Sequence, residues 1–110
     1  ALSAELIACP LATDTCRMDG PCDIADNEVL TRARAADNEV FIVVVNHAGR
    51  FNGGSFAVGP YGDLWLQLGA DPEVRTIELP VSVVRTRLHA DPLGWRGWGY
   101  RRPEVYGRYT

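Results

Sequence analysis

Three cysteines, Cys9, Cys16 and Cys22, and two histidines, His47 and His89, carry most of the reactive chemistry in this sequence. A thiol beside an imidazole can act as a nucleophile if its proton is easily lost and a base lies within reach. Cys22 precedes a helical pattern that opens at Asp26, and His47 follows a strongly apolar run, so the two could approach in space. The Asp23 carboxylate next to Cys22 opposes a thiolate by like charge, so neither Cys16 nor Cys22 is expected to be a nucleophile. Cys9 sits in an apolar stretch and reads as a small core residue. Five residues separate Cys16 from Cys22, more than the usual two to four of a zinc ligand pair, and the histidines are scattered. No metal and no cofactor is expected. An odd cysteine count without a secretory leader favours reduced thiols and a cytoplasmic protein over a Cys16–Cys22 disulfide.

The elements that must position these groups are legible in outline. Residues 4–10 predict a buried strand, with Leu6, Ile7, Ala8 and Cys9 consecutively apolar and Pro10 ending it. Residues 11–25 are rich in Asp, Thr, Gly and Pro and read as a loop. Asp26 suits a helix N-cap, with Glu28 near the positive end of the dipole. Val29, Leu30, Ala33 and Ala36 recur at helical spacing, and Asn38 suits the left-handed residue that ends a helix. Residues 40–46 are β-formers without polar alternation, which predicts a strand covered on both faces. Residues 55–59 and 64–68 flank Pro60-Tyr61-Gly62-Asp63 and predict a hairpin. Residues 74–79 predict a fifth strand, and Pro80 opens a short helix to about Leu88. About two helices for five strands leave a sheet partly bare, which points to missing chain or an obligate partner.

Composition bounds the rest. The chain has 110 residues and 46% apolar content, enough for one domain. Its longest apolar run is far too short for a bilayer, so no membrane association is expected. Arg85, Arg87, Arg96, Arg101, Arg102 and Arg108 give a basic C-terminal segment to an otherwise acidic chain. Trp95, Trp98, Tyr100 and Tyr106 interleave with them, which suits packing on protein better than nucleic acid. There is no lysine anywhere. Gly53-Gly54 is not a phosphate loop, since no lysine follows it. His89 closes a short helix, where a cation is favourable. His47 is either a polar strand terminator or a site residue at the end of a strand, and the residues leave both open.

The order of helix, strand, loop, strand and turn, with these residues at the joints, resembles the carbon–nitrogen hydrolase family (the nitrilase superfamily). The matching features are the strand to Pro10, Arg32-Ala33-Arg34-Ala35, Asp37-Asn38, Asn46, Gly54-Ser55, Pro60-Tyr61-Gly62-Asp63, and Arg101-Arg102-Pro103-Glu104-Val105-Tyr106. The resemblance implies an α/β fold: the C-terminal part of an α-β-β-α sandwich, mostly strands with about two helices. Residues 1–110 would be a partial domain that begins just downstream of the nucleophile.

Members of that family hydrolyse amides, nitriles or carbamoyl groups through a thioester-type intermediate. They use a glutamate base, a lysine and a cysteine nucleophile. None of these is expected here: lysine is absent, Cys9 falls in the wrong strand, and Cys16-Arg17 and Cys22-Asp23 fall in the wrong loop. Two smaller departures are Asp37 where the family often has glutamate, and His47 where it often has arginine. The resemblance implies that residues just after the first strand line the substrate pocket. Ala12 would then shape it, and Thr13 would donate a hydrogen bond to a small amide or nitrile; the bland alternative is that Thr13-Asp14 only turns the chain. Expected partners are the remaining segments of the hydrolase fold or a second copy of this chain, in a homo-oligomer. The alternative function is a non-catalytic remnant of the fold that acts through oligomerisation.

Overall fold

The computed structural model of the chain describes residues 4–14 and 25–88, together with 105 and 107. The expectations for Cys16, Cys22, His89 and the aromatic, arginine-rich C-terminal segment lie outside the described residues. Four strands form one sheet in the order β1-β2-β3-β4: β1 is Leu6–Leu11, β2 Phe41–Asn46, β3 Phe56–Val58 and β4 Leu64–Gln67. Helix α1, Ala25–Asn38, crosses over between β1 and β2, which pair in parallel. The β2–β3 and β3–β4 pairs are antiparallel. A π-helical turn, Val84–Leu88, ends the described core.

One face of the sheet is built as a core. Ile42 and Val44 of β2, with Phe56 and Val58 of β3, project toward α1 and enclose Ala35 and Val40; Cys9 and Leu11 close the side. Cys9 is thus the half-buried apolar filler its sequence context predicts. Ala35 has no exposed surface, so the helix backbone lies close to the sheet.

The helix is rotated from its predicted orientation. Val29 and Leu30 are 58% and 54% exposed, and the inner face is instead Glu28, Thr31 and Ala35. Polar anchors set this rotation: Gln67 Nε2 of β4 donates to Glu28 Oε2 at 2.8 Å, and Arg32 Nε donates to the Gly62 carbonyl at 2.6 Å. The helix also starts one residue before Asp26, so Asp26 falls within its first turn. It ends in a Schellman-type cap, with Val40 N–H donating to Ala35 O and Glu39 N–H to Ala36 O. Glu39, with φ of 52°, takes the left-handed position expected of Asn38. Asn38 stays helical and caps with its side chain, Nδ2 donating to Arg34 O at 2.9 Å.

The opposite face is largely open. Phe41 is buried there against Trp65, the rings meeting edge to face at 5.6 Å. Further along β2, Val43 is half-buried and Val45 is 58% exposed, so the strand is covered on both faces only at its start. A groove of about 280 Å³ runs over Val43, Val45, Ala57 and Leu66. Glu73, Val74, Arg75 and Ile77 border it. The strand expected over residues 74–79 does not form; this segment has no regular structure, and Val74 is 93% exposed. Its alternating residues have no described neighbour to pair with, and a strand without a ladder has no stable form.

β1 is likewise not buried as expected. Among the described strands it is the outermost, with Leu6 and Ile7 exposed, and it continues through Pro10 to Leu11. An edge strand tolerates proline because no neighbour requires its missing N–H. The hairpin forms as predicted. Gly62 N–H closes the turn on Gly59 O at 2.9 Å, with Pro60 at the second position and Gly62 at φ 77°. The short helix after Pro80 is present, wound wider than α-helical, with Val84 buried. Arg85 Nε reaches Glu5 Oε1 at 2.7 Å and ties this turn to the start of β1.

Candidate functional site

β1 and β2 run in parallel and so end on the same side of the sheet, the side where loops of α/β folds carry sites. The β1–β2 ladder continues one step past the strands, His47 N–H donating to Leu11 O at 2.9 Å. Beyond Leu11 the segment after β1 leaves the ladder, and Ala12 stands exposed at the bend.

Thr13 is the junction of three elements. Its N–H donates to Asn46 Oδ1 at 2.9 Å, and its carbonyl accepts from Asn46 Nδ2 at 3.0 Å. Gly53 N–H, from the β2–β3 loop, donates to the same carbonyl at 3.0 Å. The Thr13 hydroxyl accepts from Asn27 Nδ2 at the start of α1, at 3.0 Å, and its own proton faces Asn46 Oδ1 at 3.4 Å. Asn46 is buried, and its backbone N–H donates to Ser55 Oγ at 2.9 Å. Asp14 Oδ1 accepts from Asn52 N–H at 2.9 Å and pins the next step of the loop.

His47 joins this group through its backbone. Its exposed ring packs edge to face on Phe51 at 5.6 Å, and the Arg50 guanidinium lies 5.5 Å from the same phenyl ring. Ala12 and Thr13 are therefore held together at the strand ends, while the His47 imidazole is engaged by the following loop. A cleft of about 70 Å³ opens on the far side of Asn46, lined in part by Phe51, Ser55, Asp71 and Glu73, and none of Ala12, Thr13 and His47 lines it. That is far below the several hundred Å³ of a usual ligand pocket. Among the described residues, no cluster of three or more His, Cys, Asp or Glu is arranged to hold a metal ion.

The sequence reading missed Asn46, Asn27 and Gly53 as a unit. The available signal was a single asparagine at the end of an unbroken apolar run, where a polar side chain is retained only if it is satisfied. Gly53 is required by space and not by an unusual φ. A Cβ there would lie 2.5 Å from Thr13 O and 2.9 Å from Asn46 Nδ2. Gly53→Ala is therefore expected to lose about 1–3 kcal/mol by overpacking against backbone, read as a fall in melting temperature.

Comparison with known proteins bears on this fold directly. The family model for carbon–nitrogen hydrolases matches residues 14–87, more than half of the chain. The chain belongs to the carbon–nitrogen hydrolase family. Solved structures of an amidase from Nesterenkonia sp. AN1 have the same fold. A cysteine-to-alanine mutant, described as from the nitrilase superfamily, matches at 26% identity and a TM-score of 0.62, covering 97% of this chain. The same alanine mutant in complex with butyramide matches at 25% identity and a TM-score of 0.57. A glutamine mutant carrying the acetamide moiety of fluoroacetamide on its active-site cysteine matches in fold, with a TM-score of 0.62 at 24% identity. The chain spans only 35–36% of the length of these amidase chains. Among curated protein sequences none matches it.

The α/β architecture of the carbon–nitrogen hydrolase sandwich is thus present here as one sheet with a helix on one face. Among the described residues no helix is long and apolar enough to cross a membrane.

Proposed function

We propose that residues 1–110 supply the C-terminal portion of an amidase-type carbon–nitrogen hydrolase, as a partial domain that forms one wall of the substrate pocket. The observation that carries this reading is a sheet with one finished face and one open apolar face, in a chain that overlays about a third of an amidase. In the sandwich of this family a second sheet would cover Val43, Val45 and Leu66. The glutamate, lysine and cysteine would come from segments outside these residues, on the same polypeptide or a separate one. The substrate is a small amide or nitrile, and the bond broken is a non-peptide C–N bond.

The chemistry follows from that division. The cysteine thiolate attacks the amide carbon, the lysine stabilises the oxyanion, and the glutamate delivers a proton to the departing amine. Water, activated by the glutamate, then breaks the thioester. The part of this chain is positional: Ala12 shapes the wall, and Thr13 orients the substrate beside the nucleophile. The free thiol of Cys9 fits a reducing, cytoplasmic compartment. Exposed Val29 and Leu30 on the outer side of α1 favour association with a second copy, which is also what a non-catalytic remnant would use.

The test is ammonia release from short aliphatic amides. The purified 110-residue chain should release none, and the polypeptide completed with the segments bearing the cysteine, lysine and glutamate should turn over. Turnover by the 110-residue chain that is lost on changing Cys16 or Cys22 would overturn this division of labour. A completed enzyme inert on both amides and nitriles would remove the amidase reading itself.

A further inference from the structure

The Asn46 side chain is a peptide group in the wrong place. Its carboxamide faces Thr13 as a neighbouring strand residue would: Oδ1 accepts the Thr13 N–H and Nδ2 donates to the Thr13 carbonyl. The real backbone ladder ends one contact earlier, at His47 N–H to Leu11 O. The side chain of Asn46 thus extends the sheet's pairing to a residue that has already left the sheet. It does so from a buried position, with its own N–H held by Ser55. The gap it bridges equals the reach of an asparagine. Glutamine adds one methylene and pushes Thr13 outward; aspartate keeps the acceptor, loses the donor, and sets a carboxylate against a carbonyl oxygen.

We infer that Asn46 is a positioning residue: it fixes the place of Ala12 and Thr13 and thereby sets which small amides the site prefers. This rests on the reading above, that the residues after β1 line the substrate pocket. Two features support a role beyond fold stability. The Thr13 carbonyl is held twice, by Asn46 and by Gly53, and the hydroxyl is held separately by Asn27, so both backbone and side-chain orientation are specified. The loop so fixed carries an exposed residue, Ala12, at its bend, and fixing an exposed bend so firmly contributes little to the core. Small errors of placement are costly in catalysis, because reacting groups must sit within a fraction of an ångström of their productive geometry.

The test uses the complete hydrolase and its Asn46→Asp and Asn46→Gln variants, with acetamide and butyramide as substrates. The readout is the ratio of kcat/KM for the two amides. That ratio is independent of how much enzyme is folded, so a residue that only stabilises the fold leaves it unchanged. The ratio is expected to move by about threefold or more in both variants, since pocket contacts to one or two methylenes are worth factors of this order or larger. Should the Asn46 variants not fold, Asn27→Ala, which removes the bond to the Thr13 hydroxyl, carries the same measurement. An active enzyme whose ratio stays at the wild-type value in the folded variants would overturn the inference and leave the amidase reading intact. A wild-type enzyme inert on both amides would remove the amidase reading first, and this inference with it.

Discussion

Phe56→Ala should leave the chain close to unfolded. Phe56 is 2% exposed and belongs to the cluster between the sheet and α1. Removing a buried phenyl group costs about 3–5 kcal/mol, from lost transfer energy and the cavity left behind. Nothing nearby can collapse into the hole easily: Ala35 is already at the sheet surface, and Val44 and Val58 are stiff β-branched residues on paired strands. Total stabilities run from about 5 to 15 kcal/mol, and a one-sheet body lies toward the low end. Urea denaturation followed by circular dichroism checks this directly. A loss below about 1 kcal/mol would mean that the core described here does not hold the fold.

Val45→Arg separates the two faces of the sheet. Val45 is 58% exposed at the mouth of the open groove. On the 110-residue chain alone the substitution should change stability by no more than about 0.5 kcal/mol, as surface changes usually do. It should also lower self-association, since a charge now interrupts an apolar patch. In a complete sandwich the same arginine would be buried without a partner, at a cost on the order of several kcal/mol. Melting and light scattering on both forms measure the difference. Equal, small effects in the two forms would mean that no second sheet covers this face. Neither effect depends on catalysis.

The elements that the sequence made legible are those set by local patterning. The run 41–46 could be nothing but a strand, and Pro60 with Gly62 wrote the hairpin turn. What failed was set by neighbours. The residues of 74–79 alternate as a strand does, yet none of the described strands pairs with them. The α1 stripe was misread because Val29 and Leu30 outrank Ala35 in apolar weight. The rotation is decided instead by Glu28 meeting Gln67 and Arg32 meeting the Gly62 carbonyl, contacts 39 and 30 residues apart in sequence. β1 looked buried because its composition is that of an inner strand. At the candidate site, Thr13 was visible through resemblance alone, whereas the Asn46 clasp spans 33 residues and leaves only one odd polar letter in the string.

The position of β1 carries a practical consequence. Among the described residues no strand pairs with the outer rim of β1, and an unpaired apolar rim is a template for any extended peptide it meets. Pro10 interrupts that rim near one end, and Leu6, Ile7 and Ala8 leave the rest of it inviting. Handled in isolation, this polypeptide should therefore be limited by dose before heat: dilute samples survive warming that concentrated ones, already nucleating fibrous or amorphous deposits, do not.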